Sequence, residues 1–416
     1  MTDRAVSGSL AIGLIAASLA ASAARADVVT DWNEIALKAT ELAGLPPPPQ
    51  ARALALVHAA IYDAVNSVER GHQPYLALST AAADASLETA AATAAHDMLA
   101  RLFPQQQALL DLALTTSLGA VSNAEMKSNG AAIGHEAAEK LFKARQQDGA
   151  NVPVSYRGRT GPGAWQPTAP GKAQPALPHW GKVTPFVLTG ARQFALAPPP
   201  PPDSAAFARD ISEIKRVGGW TTTERTPEQT AIAIYWAGSE VPPWNAVARA
   251  AAAAHWSSVP DTARLFAYLN LAIADSLIVT FSYKYEYDSW RPITAVQTGN
   301  ISGTSGLIPD LSWRPLLITP PHPEYPSAHC VASGAAATVL RIFFNSDAVD
   351  ASAIYPPLGV QRTWRSYTEI VLEVENARVW GGIHFRTADE RGTRLGEEIA
   401  GYVMKEKLQP VASESQ

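Results

Sequence analysis

Apolar and alanine residues recur at i, i+3 and i+4 through RALALVHAAIYDAVNSV (52–68), SLETAAATAAHDMLARLF (86–103), the stretch around AAIGHEAAEKLFKARQQ (131–147), TPEQTAIAIYWAG (226–238) and DTARLFAYLNLAIADSLIVTFSYKY (261–285). That period lays an apolar stripe along one side of a helix. Segments that alternate apolar and polar residues, as a half-buried strand does, are scarce. The pattern therefore predicts a mainly α fold: helical bundles of closely packed, alanine-rich helices, two packed four-helix bundles in all, joined by Pro- and Gly-rich loops.

Two proline runs, Pro46–Pro49 and Pro198–Pro202, punctuate the helices. Between 150 and 202 the chain is rich in Gly, Pro and Trp (YRGRTGPGAWQPTAP, then LPHWGKVTPFVL). A long irregular segment in a compact protein lies over a surface or covers a site. No fixed-period repeat is present. The expected division is an N-terminal helical half, 27–202, and a site-bearing half, 203–410.

The first 26 residues read differently. Arg4 precedes LAIGLIAASLAASAA, which closes on Ala24-Arg25-Ala26. A basic start, a short apolar run and an A-x-A close describe a cleaved secretory signal, so a secreted or periplasmic protein with no stable membrane anchor is expected. A retained anchor is the alternative, although the run is shorter than a bilayer span.

Composition narrows the choices. With 47% hydrophobic and 17% charged residues the chain is not disordered. Its 33 basic residues against 38 acidic ones leave no polycationic surface, which argues against nucleic acid as a partner. The single cysteine, Cys330, excludes a disulfide framework and zinc–thiolate or dithiol chemistry; it reads as a small buried residue. His58, inside an apolar helix, reads as structural.

The candidate chemistry lies in three short segments of the last third. In KYEYDSWRP, Lys284 and Arg291 are seven residues apart, which would place both on one helical face. An ordinary ion-pair ladder through Asp288 would explain the same spacing. PPHPEYPSAH, Pro320 to His329, is a proline-stiffened loop leading into the probable helix CVASGAAATVLRIFF. The free amides at that helix start, with the Ser327 hydroxyl, would cradle an anion; a plain serine N-cap is the alternative. In ARVWGGIHFRTADERG one helix should stop at Gly381-Gly382 and another start with Thr387 as N-cap and Glu390 completing a capping box. That leaves His384 in the elbow and Arg378 in the last turn before it. Three converging cations without matching carboxylates would call for a multiply charged anion, and a tetrahedral oxyanion suits them best. One histidine could then bond its central atom while the other moves protons.

Together, K-x6-R-P, P-S-A-H and R-x5-H resemble the motifs of the vanadium-dependent haloperoxidase and type 2 phosphatidic-acid-phosphatase superfamily. WNEIALKAT, RALALVHAAIYDAVN, RTPEQTAIAIYWAG, WNAVAR and KYEYDSWRPITA extend the resemblance, toward the bacterial haloperoxidase branch, over most of the chain. The resemblance implies one vanadate per site. Lys284, Arg291 and Arg378 would bind its oxygens, with Ser327 and the Ala328 amide adding hydrogen bonds. His384 would bond vanadium and His329 would be the acid–base residue. It implies hydrogen peroxide, halide and a small organic acceptor as partners, with vanadium(V) acting as a Lewis acid, Lys284 polarising the peroxide, and hypohalous acid as the product. Self-association is left open.

Several positions depart from the family pattern or bear on specificity. Ala328 stands where the family has glycine, which would matter if the backbone needed positive φ. Pro320, Pro321 and His322 match the family's halide pocket, where a histidine resembles the bromoperoxidase choice; a solvated loop histidine is the plainer reading. Asp389 falls one residue later than the carboxylate expected after the elbow histidine, and Glu240 is a second candidate for a supporting acid. The same site would serve an acid phosphatase working through phospho-His384, or a non-catalytic oxyanion-binding protein.

Overall fold

The computed structural model describes residues 27–79, 84–255, 257–298, 308–355 and 359–411. The expected signal peptide, 1–26, lies outside the described residues. Among those residues the helices are α1 (Val28–Leu42), α2 (Pro47–Glu69), α3 (Leu87–Leu102), α4 (Gln107–Gly119), α5 (Ala124–Arg145), α6 (Ala205–Val217), α7 (Pro227–Tyr235), α8 (Val241–Ala254), α9 (Val259–Tyr287), α10 (Pro292–Thr298), α11 (Ala328–Phe344), α12 (Tyr367–Trp380) and α13 (Arg386–Glu406). One antiparallel hairpin, β1 (Ala348–Tyr355) with β2 (Val360–Ser366), stands between α11 and α12. The protein is mainly α, as its periodicity predicts, and each of the five segments singled out by that periodicity is a helix.

Helix starts follow local chemistry. The Asp27 carboxylate accepts from the amides of Val29 and Thr30, and the Thr30 hydroxyl accepts from the Asp27 amide, opening α1. The first proline run begins α2 instead of separating elements: Pro46 is the N-cap, and Pro47 and Pro48 occupy positions whose amides would have no helical acceptor. α6 carries Phe207, Ile211 and Ile214 on its buried side, a stripe of the same kind as those read elsewhere.

Two four-helix groups result. α1, α2, α3 and α5 form one, α9, α11, α12 and α13 the other, and α2 packs on α9 to join them. Buried side chains from both groups make one continuous core. α9 is apolar on all sides because it is enclosed; its most apolar stretch is 94% buried inside the molecule. α11 and α13 approach closely at two glycines. A Cβ on Gly334 would fall 2.2 Å from the Thr393 carbonyl oxygen, and one on Gly396 2.0 Å from that of Val331.

The irregular segment 150–202 wraps the end of α9. The amides of Phe186, Val187 and Leu188 donate to the Asp275 carboxylate at 2.6, 2.8 and 3.0 Å. Further along, Tyr285 donates to the Ala176 carbonyl, and the Ala176 amide donates to the Pro321 carbonyl at 2.8 Å. The segment thus ties the end of α9 to the proline-stiffened loop, in keeping with its expected covering role.

Candidate active site

Lys284 lies in the last turn of α9, which ends at Tyr287 with Asp288 as a left-handed C-cap (φ 48°, ψ 45°). Arg291 therefore follows in the link before α10, and the expected shared helical face does not exist. No ion-pair ladder forms either, because the Asp288 carboxylate accepts from the Tyr156 hydroxyl and the Arg159 amide. Both cations are nevertheless completely buried and both reach the 320–329 loop. Lys284 Nζ donates to the carbonyls of Pro323, Glu324 and Pro326 at 3.0, 2.8 and 2.5 Å. Arg291 Nε donates to the His322 carbonyl at 2.9 Å and Nη1 to that of Ile383 at 2.8 Å.

At the start of α11, Ser327 occupies the N-cap position without capping the helix by its side chain. Its hydroxyl lies 3.4 Å from the Cys330 sulfur, so the plain N-cap reading does not hold. Ala328 is the first helical residue and is absent from the positive-φ positions. The methyl that replaces the family's glycine is therefore accommodated without backbone strain. His329 Nε2 lies 2.8 Å from the Gly238 carbonyl, which can only accept, so that nitrogen holds the proton of the neutral ring. Glu240 Oε2 is 3.5 Å from the same nitrogen.

Arg378 sits in the last turn of α12, as predicted, and donates through Nη1 to the Trp236 carbonyl, while its buried Nε has no partner. Gly381 caps α12, and Gly382 turns the chain with φ 73°. A Cβ there would lie 2.3 Å from the Gly218 carbonyl oxygen, so only glycine fits the elbow that presents His384. His384 Nδ1 is 2.9 Å from Glu324 Oε1, and Nε2 is 3.1 Å from Arg291 Nη1.

The capping box expected at Thr387 and Glu390 is absent. α13 begins two residues earlier, at Arg386, with Phe385 in place of Thr387 as N-cap and no side-chain cap. The Phe385 amide donates at 3.1 Å to the same Glu324 oxygen that meets His384. Thr387 is already inside the helix, its amide directed 3.3 Å to Asp210 Oδ1.

The cations do not converge without carboxylates. Glu240, Glu324 and Asp389 are all buried among them. Burial raises the Glu240 and Glu324 carboxyls to about 7, against the pull of the neighbouring cations. Asp389 is also raised, chiefly by burial. Burial depresses Lys284 and brings Arg291 down to about 9, with a neighbouring arginine adding to the effect in each case. The three site histidines are held below the usual range by burial and by the cations facing them, so all are neutral at neutral pH. Of the carboxylates weighed in the sequence, Glu240 stands beside His329, but Asp389 does not meet His384: its Oδ1 is 3.3 Å from the Cys330 thiol. Glu324, the partner of His384, lies 60 positions away along the chain, and no local pattern in the sequence marks the contact.

Pro320, Pro321, His322, Ala328 and His329 are half-buried, whereas Lys284, Arg291, Ser327, Arg378 and His384 are buried. His322 is not a solvated loop residue. Its Nδ1 is 3.0 Å from Arg291 Nη2, and its ring packs against Phe281 at 5.3 Å between centroids.

Among the described residues no group of three or more His, Cys, Asp or Glu is arranged to hold a metal cation. The donor set instead fits a metal carried within an oxyanion and bonded through one histidine. Two arginines and a lysine are present, the Arg378 Nε–H lacks a partner, and the His384 Nε2 lone pair faces Arg291. Tetrahedral oxyanions take bonds from just such donors.

Comparison with known proteins bears on the family and the fold. The family described as VCPO second helical-bundle domain matches residues 264–412. Vanadium chloroperoxidase of Curvularia inaequalis is 27% identical over 395 residues, covering 76% of this chain and 65% of that protein. This chain thus spans about two thirds of that relative's length. A solved bacterial vanadium-dependent iodoperoxidase superposes with a TM-score of 0.81 at 26% identity, over 92% of this chain and 98% of the other. A bacterial vanadium-dependent chloroperoxidase shares the fold, with a TM-score of 0.71 at 20% identity over 87% and 92% of the two chains.

Proposed function

We propose that this chain, which belongs to the vanadium-dependent haloperoxidase family, binds vanadate at the Lys284, Arg291, Arg378 and His384 cluster and uses hydrogen peroxide to oxidise halide, bromide by preference, to hypohalous acid. The observation that carries the reading is the pairing of the His384 Nε2 lone pair with the Arg291 guanidinium inside a fully buried cationic site.

Vanadate bound there supplies a Lewis-acidic vanadium(V) centre at which peroxide becomes electrophilic toward halide. His384 is the residue to bond the metal through Nε2. Arg291 and the unpartnered Arg378 Nε–H balance the oxyanion's charge, while Ser327 and the Ala328 amide offer further hydrogen bonds. Lys284, fixed by three carbonyls, adds positive charge, and through that charge it would polarise peroxide. His329, neutral and with Nδ1 free of the Gly238 contact, can take a proton from incoming peroxide, and Glu240 stands beside it to stabilise the ring once charged. Pro320, Pro321 and His322 form the half-buried side from which halide would approach, and the histidine there supports bromide. Export to the periplasm or the medium, through cleavage near Ala26, completes the proposal.

A second reading uses the same geometry. Phosphate matches vanadate in charge and shape, and a neutral His384 whose Nε2 lone pair leaves Arg291 could attack a phosphoryl group, with His329 protonating the leaving oxygen. One paired assay decides. The metal-free protein is given a β-diketone probe, peroxide and bromide, with and without orthovanadate, and in parallel an aryl phosphate. Bromination that depends on vanadate is expected. Aryl phosphate hydrolysis blocked by vanadate, without bromination, would replace the proposal with the phosphatase.

A further inference from the structure

The buried contact between Glu324 and His384 has a consequence for the metal-bonding nitrogen. Glu324 is 1% exposed and is held from both sides of its backbone: its amide donates to the Ser289 carbonyl at 2.9 Å, and its carbonyl accepts from Lys284 Nζ at 2.8 Å. Its side chain is thereby delivered to one spot. There a single oxygen, Oε1, accepts both the Phe385 amide at 3.1 Å and the His384 ring at 2.9 Å. An oxygen already accepting an amide N–H meets Nδ1 as an acceptor, so Nδ1 carries the imidazole proton and Nε2 keeps its lone pair. Arg291 Nη1, which can only donate, faces that Nε2 at 3.1 Å, in keeping with the same tautomer, but it also bonds the Ile383 carbonyl and does not by itself lock the ring.

We infer that Glu324 is a positioning residue that holds His384 as the Nδ1–H tautomer, with ring and elbow fixed by one carboxylate oxygen so that Nε2 points its lone pair at the oxyanion. The inference rests on the proposed function for its consequence in binding, but the tautomer itself is a property of the metal-free protein. No other described carboxylate is placed to do this: Asp389 is engaged with the Cys330 thiol, and Glu240 stands at His329. The same contact sets the start of α13, because the Phe385 amide that Glu324 captures belongs to the N-cap residue of that helix.

The test compares Glu324→Gln, whose amide oxygen can accept both N–H groups, with Glu324→Met, which fills the volume without an acceptor. Glu324→Ala provides a second loss variant should Met disturb folding. Histidine-labelled, metal-free protein is examined by long-range nitrogen–proton NMR, and orthovanadate affinity is measured by equilibrium dialysis. Wild type and Glu324→Gln should show His384 Nε2 as an unprotonated nitrogen. In Glu324→Met the two ring nitrogens should move toward averaged values, and vanadate affinity should fall about 10–100-fold, the usual cost of losing a partner that orients a metal ligand. Glu324→Gln should recover most of that loss. Unchanged His384 signals in Glu324→Met, or a Gln variant as weak as Met, would overturn the inference. Failure of the functional reading looks different: wild type would show no vanadate-dependent bromination, although the His384 signals still respond to Glu324→Met.

Discussion

Arg291 and His322 are joined at two points, Nη2 to the ring Nδ1 at 3.0 Å and Nε to the backbone carbonyl at 2.9 Å. With Nη1 on Ile383 and His384, this one guanidinium links the proline-stiffened loop to the histidine elbow. A residue proposed to face the halide thus also orients a cation proposed to bind the oxyanion. His322→Phe removes the ring acceptor and keeps the carbonyl. Orthovanadate affinity should fall about tenfold, the equivalent of one hydrogen bond to a charged group at about 1.5 kcal/mol. Equilibrium dialysis reads this directly. Unchanged affinity with an altered bromide KM would confine His322 to the halide.

Lys284 gives all three of its donors to carbonyls of the loop, so it braces that loop as well as charging the site. Lys284→Met would leave those buried acceptors unsatisfied and remove the cation next to Glu324. The metal-free protein should lose about 3–5 kcal/mol in urea unfolding. Amide exchange should quicken at Glu324 and Ser327, whose N–H groups bond the Ser289 and Ala388 carbonyls, and stay slow in α3 and α5. Full stability with lost vanadate binding would leave Lys284 as an oxyanion ligand alone.

The glycine contacts between α11 and α13 set the distance between the helix that begins at Ala328 and the elbow that carries His384. At Gly334 the obstacle is the Thr393 backbone oxygen, 2.2 Å from an added Cβ, and a backbone atom cannot step aside as a side-chain tip can. Gly334→Ala should destabilise by about 3 kcal/mol and weaken vanadate binding with it. Gly401→Ala, in the same α13, has nothing within 4 Å of the new Cβ and should be neutral or stabilising by up to about 1 kcal/mol. Thermal unfolding of the two variants separates overpacking from helix propensity, and equal melting points would refute the close contact.

What the sequence showed and what it hid divide along sequence distance. Periodicity exposed the long helices because a buried stripe repeats within each element, and Gly381-Gly382 marked the elbow because that turn needs a residue without Cβ. The end of α9 was hidden: Asp288 takes a left-handed C-cap without being glycine, so the seven residues from Lys284 to Arg291 looked like two helical turns. Thr387 and Glu390 matched a capping pattern, yet the start of α13 is set from outside by Glu324. The same distance hid Glu324, which reaches His384 from a loop that no local pattern connects to it, whereas Glu240 is a candidate in the sequence whose partner, His329, only the structure gives.

His58 offers a test of the core remote from this chemistry. It is completely buried in α2, stacked on Phe266 with Nε2 2.8 Å from the Asn33 side-chain nitrogen, while Nδ1 has no partner. Burial, with a smaller contribution from Arg249, lowers its pKa from 6.5 to about 3. Above pH 6.5 the ring is neutral in both folded and unfolded chains and adds no pH dependence. Below 6.5 the unfolded chain takes up a proton that the folded protein refuses, so stability falls by about 1.4 kcal/mol for each further pH unit, until the native ring also protonates near 3. His58→Gln keeps an acceptor for Asn33 and removes the titration. Its stability relative to wild type should be constant above pH 7 and should improve by about 2 kcal/mol on going from pH 7 to 5. Urea midpoints for the two proteins across that range measure the difference, in which other titrating groups such as Asp63 cancel. Parallel curves would mean that the native ring accepts its proton as readily as the unfolded one, contrary to its burial.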